Sequence, residues 1–135
     1  MDFPSAKTVQ ASPDPSRLFA TYRDAMERLE QDNPKLRVVW WTAPLTDRDN
    51  LAREQFNRMV RAYAKDKGKV LFDIAAIESH APNGRPMADG VGPVLYTGYT
   101  DDGGHLVGRG QMRVARAWWW LAARLAGWPG PEGQG

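Results

Sequence analysis

Apolar residues recur at helical spacing in three stretches of the chain, and two short runs between them are apolar and β-branched without alternation. In the first stretch Leu18, Phe19, Tyr22, Met26 and Leu29 predict a helix. Asp14 can cap it, Pro15 suits its first position, and Asn33-Pro34 stops it. The run "RVVWWTAP", 37–44, predicts a strand buried on both faces of a parallel sheet. Thr46 and Asp49 stand at capping-box spacing ahead of a second helix. Leu51, Ala52, Phe56, Met59, Val60 and Tyr63 would form its buried stripe, and Gly68 would end it. "KVLFDIAAI", 69–77, predicts a second strand, and 78–104, full of Gly and Pro, a long loop. A final helix over 106–126 would bury Val114, Trp118, Leu121 and Leu125.

The order helix, strand, helix, strand, loop, helix predicts an α/β fold whose parallel strands are joined by right-handed crossovers. Two strands leave such a sheet incomplete, because both read as central strands and neither carries the charges or prolines that protect an edge. The expected organisation is a flexible lead-in at 1–13, part of a larger α/β domain at 14–128, and a disordered tail at 129–135. There is no internal repeat.

Composition changes this picture little. The chain is 42% hydrophobic and 25% charged, as in ordinary globular domains. Eighteen basic and sixteen acidic residues leave a formal net charge of +2, too small to make nucleic acid the expected partner. Without cysteine, disulfides and thiolate metal sites are excluded. "MDFPSAKTVQASPDPSR" lacks the apolar core of a secretory signal, so the chain as written is expected in the cytoplasm, with secretion the alternative if its true N-terminus lies upstream. "AWWWLAA" is far shorter than the roughly 20 residues of a membrane-spanning helix.

Candidate chemistry lies where a parallel sheet gathers it, in the loops beyond the carboxyl ends of the strands. Asp102-Gly103-Gly104-His105 sets a carboxylate three residues before an imidazole, with glycines that let the chain turn between them. Such a carboxylate can fix the imidazole tautomer and stabilise its cation, as a serine nucleophile requires of its general base. Helix capping by Asp102 and a plain surface loop are the alternatives.

From about Ser16 to Trp128 the chain resembles the C-terminal half of SGNH/GDSL-type serine hydrolases. The likeness is carried by "LFATYRDAMERLEQDNPKLRVVWWTAPL", "LFDIAAIES" and "DDGGHLVGRGQMRVARAWWWLAARLAGW". The resemblance implies a partial flavodoxin-like three-layer α/β/α fold and an esterase or lipase activity on acyl esters of small alcohols, lipids or carbohydrates. It implies that Asp102 orients the imidazole and that His105 acts as general base, then general acid. The family's Gly-Asp-Ser block is missing: Ser5, Ser12, Ser16 and Ser79 stand in the contexts "PSA", "ASP", "PSR" and "ESH". The chain would begin just beyond the family's third block, and it is expected to be inactive alone. No cofactor and no metal are expected.

Other residues have plainer expectations. His80 is read as a solvated loop histidine rather than a metal ligand with Asp101 and His105, and Asp73 as a structural hydrogen-bonding group. Trp118 is expected to pack inward, with Trp119 and Trp120 against neighbouring elements, and Arg109, Arg113 and Arg116 on a solvated helix face. Besides the hydrolase segment, two functions suit these residues. One is a non-catalytic interaction module that binds another chain, or its own copy, through an open sheet edge and the Trp-rich helix. The other is a peripheral membrane or nucleic-acid binder that uses the Arg and Trp helix.

Overall fold

The computed structural model describes residues 13–131, so most of the predicted lead-in and the last four residues of the predicted tail lie outside the described residues. The first helix, α1 (Pro15–Asp32), starts as the sequence predicts: the Asp14 carboxylate accepts the Ser16 N–H at 3.0 Å, and Pro15 takes the first position. Its predicted stripe is only half covered, since Phe19, Tyr22 and Met26 are half-buried while Leu18 and Leu29 are exposed.

Two short parallel strands follow the first two long helices, β1 (Val39–Trp41) after α1 and β2 (Val70–Phe72) after α2 (Leu51–Lys67), with Val39, Trp40 and Trp41 opposite Val70, Leu71 and Phe72. Adjacent residues of β1 point to opposite faces. Trp40 is fully buried against Tyr22 of α1 and Tyr63 of α2, with ring centroids 5.4 and 5.1 Å away. Trp41 and Phe72 face the other way and meet Trp118 of α4 (Gly108–Leu125) at 5.4 and 5.3 Å. Helices therefore cover both faces of a two-stranded parallel sheet, a mixed α/β arrangement. Burial of β1 is one-sided, because Trp41 stays 38% exposed. Its outer edge is partly closed, since the Trp41 N–H donates to the Tyr22 hydroxyl at 2.9 Å.

Both strands are shorter than the sequence predicts. The second stops at Phe72 because the Asp73 carboxylate accepts the Ala76 N–H at 3.1 Å and turns "IAAIE" into a short helix, α3 (Ile74–Glu78). The first stops because the backbone beyond it is taken up by side chains. Ala43 donates its N–H to Asn57 Oδ1 at 2.7 Å and accepts from Asn57 Nδ2 at 3.0 Å.

The α2 face differs in kind from the predicted stripe. Glu54, Asn57, Val60 and Ala64 are its buried residues, Phe56, Met59 and Tyr63 are half-buried, and Leu51 and Ala52 are exposed. Thr46 and Asp49 do not form the capping box. Instead the Asn50 carboxamide pairs with the Thr46 backbone, accepting its N–H at 2.9 Å and donating to its carbonyl at 2.7 Å. Gly68 ends α2 in the left-handed conformation, as predicted.

The predicted long loop is a built segment. Isolated antiparallel bridges join His80 to Pro86, Ala88 to Pro93 and Thr100 to Leu106, and a 3₁₀ turn spans Thr97–Tyr99. Leu45, Ala75, Leu95 and Tyr99 form a buried cluster beneath it. There α4 approaches so closely that a Cβ on Gly110 would lie 2.6 Å from the Tyr99 Cβ, which only glycine avoids. At the other end of α4, Arg37 donates to the Leu125 carbonyl and Arg124 to those of Trp128 and Pro129, which ties down the described part of the tail.

Substituting the buried Asn57 (Asn57→Ala) would strip both partners from the half-buried Ala43 peptide. Urea unfolding should show a loss of about 3 kcal/mol with an unchanged slope.

Candidate functional site

The carboxyl ends of β1 and β2 deliver Thr42 and Asp73 side by side. Asp73 accepts from Arg61 Nε at 2.7 Å and Nη2 at 3.1 Å, and from the Thr42 hydroxyl at 3.0 Å. Burial works against its charge, but the Arg61, Ala76 and Thr42 hydrogen bonds outweigh it and hold the carboxyl below its ordinary range. Asp73 is thus bound up in structure, as the sequence suggests. Behind it the Glu54 carboxylate accepts from Arg58 at 3.0 Å, and its other oxygen is buried without a hydrogen bond, 3.6 Å from Arg61.

Two loops meet on this edge. Residues 43–50 are held by Asn57, by Asn50 and by Glu78, whose carboxyl accepts the Leu45 N–H at 2.8 Å. Burial pushes the Glu78 carboxyl above its ordinary range, against the smaller opposite effect of that hydrogen bond. The second loop, between Thr100 and Leu106, is tied to the first where the Asp47 N–H donates to the Gly103 carbonyl at 2.8 Å. Gly103 sits at φ +87°, and a Cβ there would lie 2.9 Å from the Asp47 carboxylate.

The second loop brings Asp102 and His105 together. Asp102 Oδ1 accepts from the Gly104 N–H at 2.9 Å, the His105 N–H at 2.8 Å and the Thr100 hydroxyl at 3.2 Å. Its Oδ2 lies 2.7 Å from His105 Nδ1. An ionised carboxylate only accepts, so Nδ1 carries the hydrogen and Nε2 of the neutral ring is left as an acceptor. The backbone N–H groups of Gly104 and His105, then the imidazole, hold the Asp102 carboxyl far below its ordinary range. The pair is nonetheless open to water, with the His105 side chain 93% exposed and that of Asp102 56%.

Neither described serine joins this pair. Ser79 is buried at the end of α3 and its hydroxyl donates to the Ala76 carbonyl at 3.2 Å, while Ser16 lies in the first turn of α1. Ser5 and Ser12 lie outside the described residues. His80 is half-buried rather than solvated. Its Nδ1 donates to the Ala76 carbonyl at 2.6 Å, so that nitrogen is no base for the Ser79 hydroxyl 3.5 Å away. Among the described residues no three His, Asp or Glu side chains gather as a metal site would need, so His80, Asp101 and His105 stay apart.

Of the tryptophans, Trp118 reaches the sheet, Trp120 packs on Trp128 at 6.5 Å, and Trp119 is 76% exposed. Arg109, Arg113 and Arg116 do not simply point into solvent but line a groove of about 950 Å³ with Ile77, Pro82 and Tyr99. Sequence reasoning missed Glu54, Asn57, Arg61, Glu78 and Thr100. The three on α2 recur at spacings of three and four, a polar ridge that periodicity could have found. No protein-family model matches the chain, and no curated protein matches it.

Two outcomes are expected of the loop. Because the Asp102 pKa is depressed on folding, the stabilisation it lends is complete above about pH 5 and is lost progressively as pH falls from there through the depressed value. Carbon-13 titration of its carboxyl should therefore show a midpoint below that of an unperturbed Asp. Gly103→Ala would force a side chain into the left-handed region against Asp47. Hydrogen exchange at Gly104 and His105 should quicken about tenfold, and the Asp102–His105 contact should loosen.

Proposed function

We propose that this chain is the C-terminal segment of an SGNH/GDSL-type ester hydrolase, supplying the Asp and His of a Ser-His-Asp triad. The observation that carries the reading is the 2.7 Å contact between Asp102 and His105 Nδ1, with the carboxylate anchored by two backbone N–H groups and Nε2 without a hydrogen bond among the described residues. Support comes also from helices on both faces of a parallel pair of strands, as in part of a flavodoxin-like three-layer fold.

In this reading a serine from a segment outside these 135 residues attacks the ester carbonyl, and His105 Nε2 takes the hydroxyl proton. Asp102 holds the Nδ1–H and stabilises the imidazolium. The alcohol leaves with that proton, and a water activated by the same nitrogen frees the acid and restores the serine. The oxyanion donors belong to the same missing segment. Exposure of His105 fits a ring that has yet to be covered, since water screens its charge and weakens its catalytic advantage.

A second reading, a non-catalytic interaction module, draws on the exposure of Trp118, Trp119 and Trp120. The Tyr22 hydroxyl on Trp41 weakens its strand-addition form, because one N–H of the β1 edge is already engaged.

The 135-residue chain should hydrolyse p-nitrophenyl acetate no faster than its His105→Ala variant. Joined to a segment carrying Gly-Asp-Ser it should gain hydrolysis that His105→Ala lowers by about 10³–10⁴-fold. Turnover by the chain alone that disappears in the variant would put the nucleophile within these residues and sink the half-site reading. A folded joined protein inert toward acyl esters would sink ester hydrolysis itself.

A further inference from the structure

The structure points to a second surface, independent of the ester-hydrolase reading: we propose that the outward face of α4 docks on an anionic lipid bilayer. Charge carries the first part of the case. From Gly108 to Leu125 this helix has Arg109, Arg113, Arg116 and Arg124 and no Asp or Glu, so taking these four charges from the formal net +2 leaves −2 on the rest of the chain. Among the described residues none of the four is paired with a carboxylate. A helix surface of one sign, unneutralised by its own fold, is complementary to anionic headgroups.

The apolar part shares that face. Residues 109, 113, 116, 120 and 124 fall on one helical stripe, flanked by 112, 119 and 123, while 110, 114, 121 and 125 point to the protein. The Arg-lined groove of about 950 Å³ continues into a second of about 580 Å³ lined by Trp119, Trp120, Ala123 and Trp128, the two sharing Met112 and Arg116. Met112 is 54% exposed, Trp119 76% and Trp120 50%. Arg124 lies 5.5 Å over the Trp120 ring.

Tryptophan indoles beside arginines whose stems run along apolar surface are what the headgroup–acyl boundary accommodates, the ring at the interface and the guanidinium on phosphate. Here Trp120 lies on the arginine stripe and Trp119 flanks it. No helix among the described residues is long and apolar enough to cross a membrane, so the contact is one of lying on the surface.

The test is co-sedimentation of the full 135-residue chain with vesicles of phosphatidylcholine alone or with about one third phosphatidylglycerol, at low and high salt. Retention should require the anionic lipid and weaken with salt. Arg109→Ala with Arg116→Ala, both exposed and without side-chain hydrogen bonds among the described residues, should weaken it about 25-fold. Trp119→Ala should weaken it about tenfold. Circular dichroism verifies that each variant is folded. No retention on anionic vesicles, equal retention on neutral ones, or indifference to the double substitution would overturn the proposal. So would a concentration-dependent dimer that shields Trp119 from a fluorescence quencher, which would assign the face to a second copy, or binding to an acidic polypeptide or single-stranded DNA in place of vesicles.

Discussion

Beyond Thr42, whose N–H still donates to the Phe72 carbonyl, much of the backbone of 43–50 finds its hydrogen bonds among side chains. Asn57 takes both polar groups of Ala43, Glu78 takes the Leu45 N–H, and Asn50 takes both polar groups of Thr46. Leaving even one such group buried and unpaired costs about 1–3 kcal/mol, so these side chains cannot be exchanged for apolar ones of similar size. The burial of Asn57 on α2 and of Glu78 on α3 follows from this need. So does the early end of both strands, which stop where side-chain hydrogen bonding takes over from the ladder.

The candidate site depends on the same framework at one remove. Loop 43–50, once fixed, offers the Asp47 N–H to Gly103, and Gly103 anchors the turn that presents Asp102 to His105. The turn is rigid at its base and open at its tip, so the pair has an oriented tautomer but none of the water exclusion that gives such a pair its strength. The acids of this edge respond to pH in opposite senses. Asp73 and Asp102, depressed by their partners, support the fold above the ordinary carboxylate range and lose that support as pH falls through their lowered values. Glu78, raised by burial, contributes fully when protonated and loses its contribution as pH rises through its raised value.

Where local chemistry decides, the residues are readable in order. Asp14 with Pro15 starts α1, Gly68 ends α2, and Asp102 three residues before His105 is a spacing that a tight turn can close. At Asp73 the same reading goes astray, because "KVLFDIAAI" is a continuous apolar run in which a capping carboxylate looks like an interruption. The cap prevails through the second donor it recruits, Thr42, which meets Asp73 only across the sheet.

Hydrophobic period and capping chemistry act over a few residues, and for that reason the sequence by itself determined the three long helices, the parallel α/β order and the spacing of the Asp102–His105 turn. Tertiary structure alone decided which polar groups go inside: Asn57 lies 14 residues from the Ala43 peptide it satisfies and Glu78 lies 33 from Leu45. It alone decided that Arg109, Arg113 and Arg116 line one groove and Trp119 and Trp120 the next, since that depends on what packs on the helix's other side. Burial of a polar group is favourable only when its partner arrives, and partners brought from distant parts of the chain have no local signature.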